Sequence, residues 1–226
     1  MKMFKMFNMM LAIAICAAAT VSRAQTPAAA PTDVYSVMFV KAAPGQAGAL
    51  AKQLQQPDPK NPMASHYLLL RHQEGADWDY CLIQHVGPKG TVDITPPPTG
   101  AEPPTRAWHD DTFVSGPSWS EFQRLMGMTG DQSNGVYVVG VHRAVPGHRE
   151  QLVQALGQRA PDGKVANNRL TMTHLEGGSW QLLTVDRFNS WQEFGADRTN
   201  AAGGTGWLDV RQHSAYHTDT IADRVR

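Results

Sequence analysis

Residues 34–54, VYSVMFVKAAPGQAGALAKQL, recur at 136–156 as VYVVGVHRAVPGHREQLVQAL, at an offset of 102. Both stretches open on β-branched and aromatic residues, Val34 to Lys41 and Val136 to Arg143, a composition that suits a strand. Pro44-Gly45 and Pro146-Gly147 then mark a turn. Leu50 and Leu54, and Leu152 and Leu156, follow at i, i+4, which places them on one buried face of a helix. A strand, a turn and an amphipathic helix, each met twice, make the chain a tandem duplication.

The same offset continues outward without a gap. His72-Gln-Glu74-Gly75-Ala-Asp-Trp78 falls on His174-Leu-Glu176-Gly177-Gly-Ser-Trp180, and 34–88 against 136–190 gives 16 identities in 55 pairs, about 29%. Leu68 to His72 and Leu170 to His174 read as second strands, and Trp78 to Val86 and Trp180 to Phe188 as third strands. The intervening Glu-Gly turns use glycine for positive φ. The copies then differ in length, with Pro-rich 87–104 in the first and Gly-rich 199–206 in the second. They meet again at an offset of 108, where Ala107-Trp-His109-Asp-Asp111-Thr112-Phe113 matches Ala215-Tyr-His217-Thr-Asp219-Thr220-Ile221. A helix is expected from Trp207 to His217. Ser118-x-x-Glu121 and Ser190-x-x-Glu193 carry the capping-box pattern of helix starts.

The expected organisation is a signal peptide at 1–24, a linker at 25–33, a first unit at 34–117, a linker helix at 118–135 and a second unit at 136–226. Lys2 and Lys5 form a basic start, Met9 to Ala19 an apolar run, and Ser22-Arg23-Ala24 a small-residue cleavage site, with the cut after Ala24. This pattern predicts a periplasmic or secreted protein. The whole chain balances 20 basic against 20 acidic side chains. Loss of Lys2, Lys5 and Arg23 leaves a net charge of −3, which offers no basic excess for nucleic acid. Cys81 alone remains after cleavage, so no intramolecular disulfide is available, and no later segment is apolar enough to span a membrane.

Strand, helix, strand, hairpin, strand, helix, strand, twice over with Pro-Gly after the first strand, resembles the dimeric α/β-barrel superfamily, which includes antibiotic-biosynthesis-monooxygenase-type domains. The resemblance implies an α+β fold in which two tandem ferredoxin-like units close their antiparallel sheets into a pseudo-dimeric α/β barrel. It also implies a small apolar or aromatic ligand between the sheet and helices of one unit, and it is compatible with a homodimer. Cofactor-independent monooxygenases, isomerases and haem-handling relatives belong to the same group.

The polar residues that recur are the candidates for a site. A His held by an acid at the mouth of an apolar pocket can act as a general base. His174, His217 and Asp219 are the catalytic candidates, and His72, Trp78, His109, Trp180 and Trp207 the ligand-binding ones. The same residues also suit a purely structural role, framing a hairpin and plugging a core. His213 and His217, spaced i, i+4, are a lone pair of potential metal ligands. His174 or His217 could serve as an axial haem ligand. The absence of a fuller ligand set makes no cofactor the expectation. Phosphate-loop, nucleophile-elbow and dinucleotide motifs are absent. The second unit, with its fuller helix and Gly-rich loop, is the expected home of the pocket.

Overall fold

The computed structural model describes residues 33–56, 63–91, 103–129, 135–157, 169–201 and 206–225. The expected signal peptide and most of the 25–33 linker lie outside these residues. The elements run β1 (Asp33–Ala42), α1 (Ala47–Leu54), β2 (Tyr67–Glu74), β3 (Tyr80–Pro88), β4 (Arg106–Gly116), α2 (Trp119–Leu125), β5 (Val136–Ala144), α3 (Arg149–Gly157), β6 (Arg169–Glu176), β7 (Leu182–Phe188), α4 (Trp191–Ala201), α5 (Gly206–His213) and β8 (Ser214–Arg224). The fold is α+β. Its eight strands pair antiparallel throughout and close into a barrel in the order β1-β3-β2-β8-β5-β7-β6-β4.

Within the first half the sheet runs β4-β1-β3-β2, and within the second β8-β5-β7-β6, the same order built from equivalent strands. The halves join where β2 meets β8 and β4 meets β6. Closure leaves no free sheet edge, which removes the exposed donors and acceptors of an open sheet.

Alternation along each strand sorts residues into the lumen or onto the outer face. Tyr35, Val37 and Phe39 of β1 and Tyr137 and Val139 of β5 point inward, and they share one core with Leu68, Leu70, Cys81, Ile83, Leu170, Met172, Leu183 and Val185. One barrel end is closed by α2, whose Phe122 and Leu125, with Met126 at its end, enter this core. Ser118 caps that helix through Glu121 N–H at 3.4 Å. The Tyr35 hydroxyl donates to Pro117 O at 2.8 Å and the Tyr137 hydroxyl to Met126 O at 2.9 Å, so α2 is moored to both central strands.

Outside the barrel, α1 sets Leu50 and Leu54 on Met38, Val40 and Leu69. On the other half α3 and α5 cover Ala144 and Leu182 through Leu152, Leu156 and Val210. The helix expected from Trp207 to His217 is shorter. It ends at His213, whose carbonyl accepts Val145 N–H at 2.9 Å, and β8 starts at Ser214. Tyr216, Thr218 and Thr220 suit the strand they enter. His213 and His217 therefore do not share a helix face. Among the described residues, no helix is long and apolar enough to cross a membrane.

Candidate functional site

The two repeated polar motifs meet each other across the halves. Thr220 of β8 accepts Ala76 N–H from the β2–β3 hairpin at 3.1 Å, and Thr112 of β4 accepts Gly178 N–H from the β6–β7 hairpin at 2.9 Å. Each hairpin glycine lies hard against the partner strand. A Cβ on Gly75 would stand 2.6 Å from Asp219 O, and one on Gly177 2.3 Å from Asp111 O, at φ of +131° and +119°. Glycine is required at both by backbone conformation and by space.

The same hairpins carry His72 and Trp78, and His174 and Trp180, to the barrel end opposite α2. His72 packs edge-on to Trp78 at 5.6 Å and His174 to Trp180 at 5.8 Å, with Phe39 contacting both indoles. His72 Nε2, His174 Nε2 and Trp180 Nε1 are buried without a hydrogen-bond partner among the described residues. Asp110 stands beside the second copy, and burial raises its carboxyl pKa; Asp111 adds to the shift, while His109 and His174 oppose it.

His217 and Asp219 face the other way, onto the outer surface of the second half. In register with them stand His142 and Gly140 of β5, with Thr184 of β7 opposite Gly140. His142 Nε2 and Thr184 Oγ1 are 2.9 Å apart, and the His142 and His217 rings stack at 6.2 Å. Further along, Arg169 pairs with Asp186, and both are buried. Burial works against the Arg169 charge, but the Asp186 carboxylate outweighs it and holds the guanidinium above its usual range. The middle of the second half's outer face thus holds two hydrogen-bonded polar pairs, His142–Thr184 and Arg169–Asp186, flanked by apolar residues. His174 is not part of it, so the three catalytic candidates are divided between the lumen and the outer face. Trp207 lies on α5, and its side chain falls outside the described residues.

The first half differs at the equivalent positions. Offset 102 places Met38 for Gly140, Val40 for His142, Leu82 for Thr184, Tyr67 for Arg169 and Gln84 for Asp186. Over this apolar face lies a cavity of about 500 Å³, walled by Met38, Leu54, Tyr67, Leu82, Val86 and Phe113. The polar side chains of Ser36, Gln53, Gln84, Arg106, Asp111 and Glu176 are also part of the lining, as are Gln56 and Gly177. The sequence favoured the second half for the pocket; this cavity lies on the first. A volume of this size falls within the 300–1,000 Å³ of small-molecule sites, and apolar and polar side chains share its lining. At its edge His109 Nε2 lies 3.1 Å from Asp111 Oδ2, an imidazole oriented by a carboxylate.

Arg106, His142, Thr184 and the Arg169–Asp186 pair escaped the sequence reading because it followed identities between the copies. The differences between them carry the signal. Cys81 is fully buried in the lumen, where burial pushes its thiol pKa far up. Among the described residues no group of three or more His, Cys, Asp or Glu side chains is arranged to hold a metal ion.

No protein-family model matches the chain, and no curated protein matches it. Among solved structures it is similar to that of an anthrone oxidase-like protein, with a TM-score of 0.52 and 12% sequence identity, over 87% of this chain and 92% of that chain. At this identity the likeness is one of fold: the chain is an α+β barrel related in architecture to that protein.

Proposed function

We propose that this protein is exported and binds a small apolar or aromatic molecule between the sheet and helix of its first half. On this view the chain is a pair of tandem ferredoxin-like units, fused and closed as a pseudo-dimeric barrel, in which one unit keeps a pocket. The observation that carries the proposal is the 500 Å³ cavity over Met38, Leu82 and Phe113, set against the hydrogen-bonded polar pairs of the other half. Calorimetric titration with a panel of bicyclic and tricyclic aromatics tests it. A bound ligand whose affinity is lost in Leu82→Trp, with unchanged thermal unfolding, is the expected result. Absence of binding across the panel, or affinity unaffected by Leu82→Trp, overturns it.

An enzyme is favoured by one further observation, the His109–Asp111 pair at the cavity edge. An imidazole held by a carboxylate beside an apolar pocket suits removal of a proton from an activated C–H or phenolic O–H group. The anthrone oxidase-like neighbour makes anthrone a reasoned probe. Oxygen uptake on anthrone that falls at least tenfold in His109→Gln would establish this chemistry. No uptake above the spontaneous rate would leave binding as the function.

A further inference from the structure

Among the described residues lining the cavity of the first half is the cation Arg106, whose place and unpaired Nε need an explanation. Arg106 begins β4 opposite Ala42, where a β-bulge between Lys41 and Ala42 shifts the register. A bulge re-aims the side chains beside it, and Arg106 becomes part of the cavity lining. The second half repeats the bulge at Arg143/Ala144, but there the residue opposite is Ser214. The arginine is therefore a feature of the half with the cavity and not of the shared scaffold.

Arg106 Nε is buried and has no hydrogen-bond partner among the described residues. A buried guanidinium N–H without an acceptor is unfavourable, and arginine's donors are arranged as a fork that fits a carboxylate or similar oxyanion. Several other polar side chains of the lining already have partners. Gln53 Oε1 accepts the Thr105 hydroxyl, Gln56 Nε2 donates to Lys52 O, and Gln84 Nε2 donates to Met63 O. Asp111 is engaged by His109 and, like Glu176, is exposed, so water screens both carboxylates.

We propose that the occupant of this cavity is an aromatic acid: a planar apolar body against Met38, Leu82 and Phe113, with a carboxylate or phenolate oxygen accepting from Arg106. This rests on the cavity being the ligand site, and it adds the charge of the ligand. Charge-assisted hydrogen bonds contribute about 1.5–3 kcal/mol, which corresponds to roughly ten- to hundredfold in affinity.

The test is calorimetric titration of the full chain with 2-naphthoate and with its neutral methyl ester. The acid is expected to bind at least tenfold more tightly than the ester. In Arg106→Gln that preference should disappear while ester affinity stays within twofold, and Arg106→Lys should retain part of it. Equal affinity for acid and ester in the wild-type chain, or a preference that survives Arg106→Gln, overturns the charge assignment and leaves the pocket standing. Binding of neither probe overturns the pocket and the assignment together. The acid–ester comparison on the wild-type chain decides the question even where a variant does not fold.

Discussion

Arg169 and Asp186 face each other in register across β6 and β7, both nearly excluded from solvent, and the guanidinium grips the carboxylate with two hydrogen bonds. A third bond runs from Arg169 Nη1 to Leu156 O at 3.0 Å, linking the pair to α3. The equivalent positions of the first half hold Tyr67 and Gln84, beside the cavity. At these positions one half holds a charge pair that satisfies itself, while its twin borders a cavity.

Breaking that pair from one side should be severe. Removal of one member of a buried ion pair typically costs about 3–5 kcal/mol, because the other charge stays buried alone. Asp186→Asn is expected to lower unfolding stability by that order, measured by urea denaturation. The double variant Arg169→Tyr with Asp186→Gln, which installs the first half's residues, should cost less than the single one. A single variant within 0.5 kcal/mol of wild type would contradict the role assigned to the pair.

The hairpin glycines offer a second test, with an internal control. Gly177→Ala meets the Asp111 carbonyl at 2.3 Å and must also adopt φ of +119°. Gly147 has φ of +83° with nothing near its Cβ position. Alanine at 147 should carry only backbone strain, about 1–3 kcal/mol. Alanine at 177 should cost clearly more, since steric overlap with backbone adds to it. Thermal unfolding of both variants separates the two contributions, and equal losses would show that close approach to β4 is unimportant.

His85 predicts a pH dependence. It is buried, with Nε2 3.0 Å from Asp33 Oδ2 and Nδ1 3.2 Å from His66 Nδ1. Burial lowers its pKa, Asp33 opposes that, and His66 adds to it. A histidine whose pKa is lowered on folding binds fewer protons in the folded chain than in the unfolded one at mildly acid pH. Its contribution is therefore present above the unfolded pKa of about 6.5 and is lost as pH falls from there through the folded value. Stability measured at pH 7.5 and 5.5 should decline less in His85→Gln than in wild type. An identical decline would remove His85 from the account.

Cys81 supplies a probe of opening. Its thiol is buried and its pKa raised, and the thiolate is the reactive form. A thiol reagent at pH 8 should modify the native chain only at the rate of barrel opening, and stoichiometrically in 6 M guanidinium. Rapid labelling of the native state would contradict its place in the lumen.

The sequence showed the barrel's parts because each follows from local periodicity. Val34 to Lys41 and Val136 to Arg143 become the central strands β1 and β5, and Leu50, Leu54, Leu152 and Leu156 are the buried faces of α1 and α3. The candidate site was less visible. His109 beside Asp111, and His217 near Asp219, stand on outer faces, whereas His72, Trp78, His174 and Trp180 gather at a barrel end. Spacing alone places residues within a strand but says nothing of which strand from the other half lies alongside.

The repeated strand–turn–helix stretches and the glycine turns were determined by the sequence, because hydrophobic period and backbone freedom act over a few residues; the helix expected between the third and fourth strands is present among the described residues only in the second half. The tertiary structure decided that Gly75 and Gly177 close on β8 and β4, residues more than 60 positions away in chain order. It also decided that Met38 stands over a cavity while its counterpart Gly140 lies under His142, Thr184 and Asp219. Those outcomes depend on long-range register and on which polar groups find partners once water is excluded, and both are settled only when the two halves close on each other.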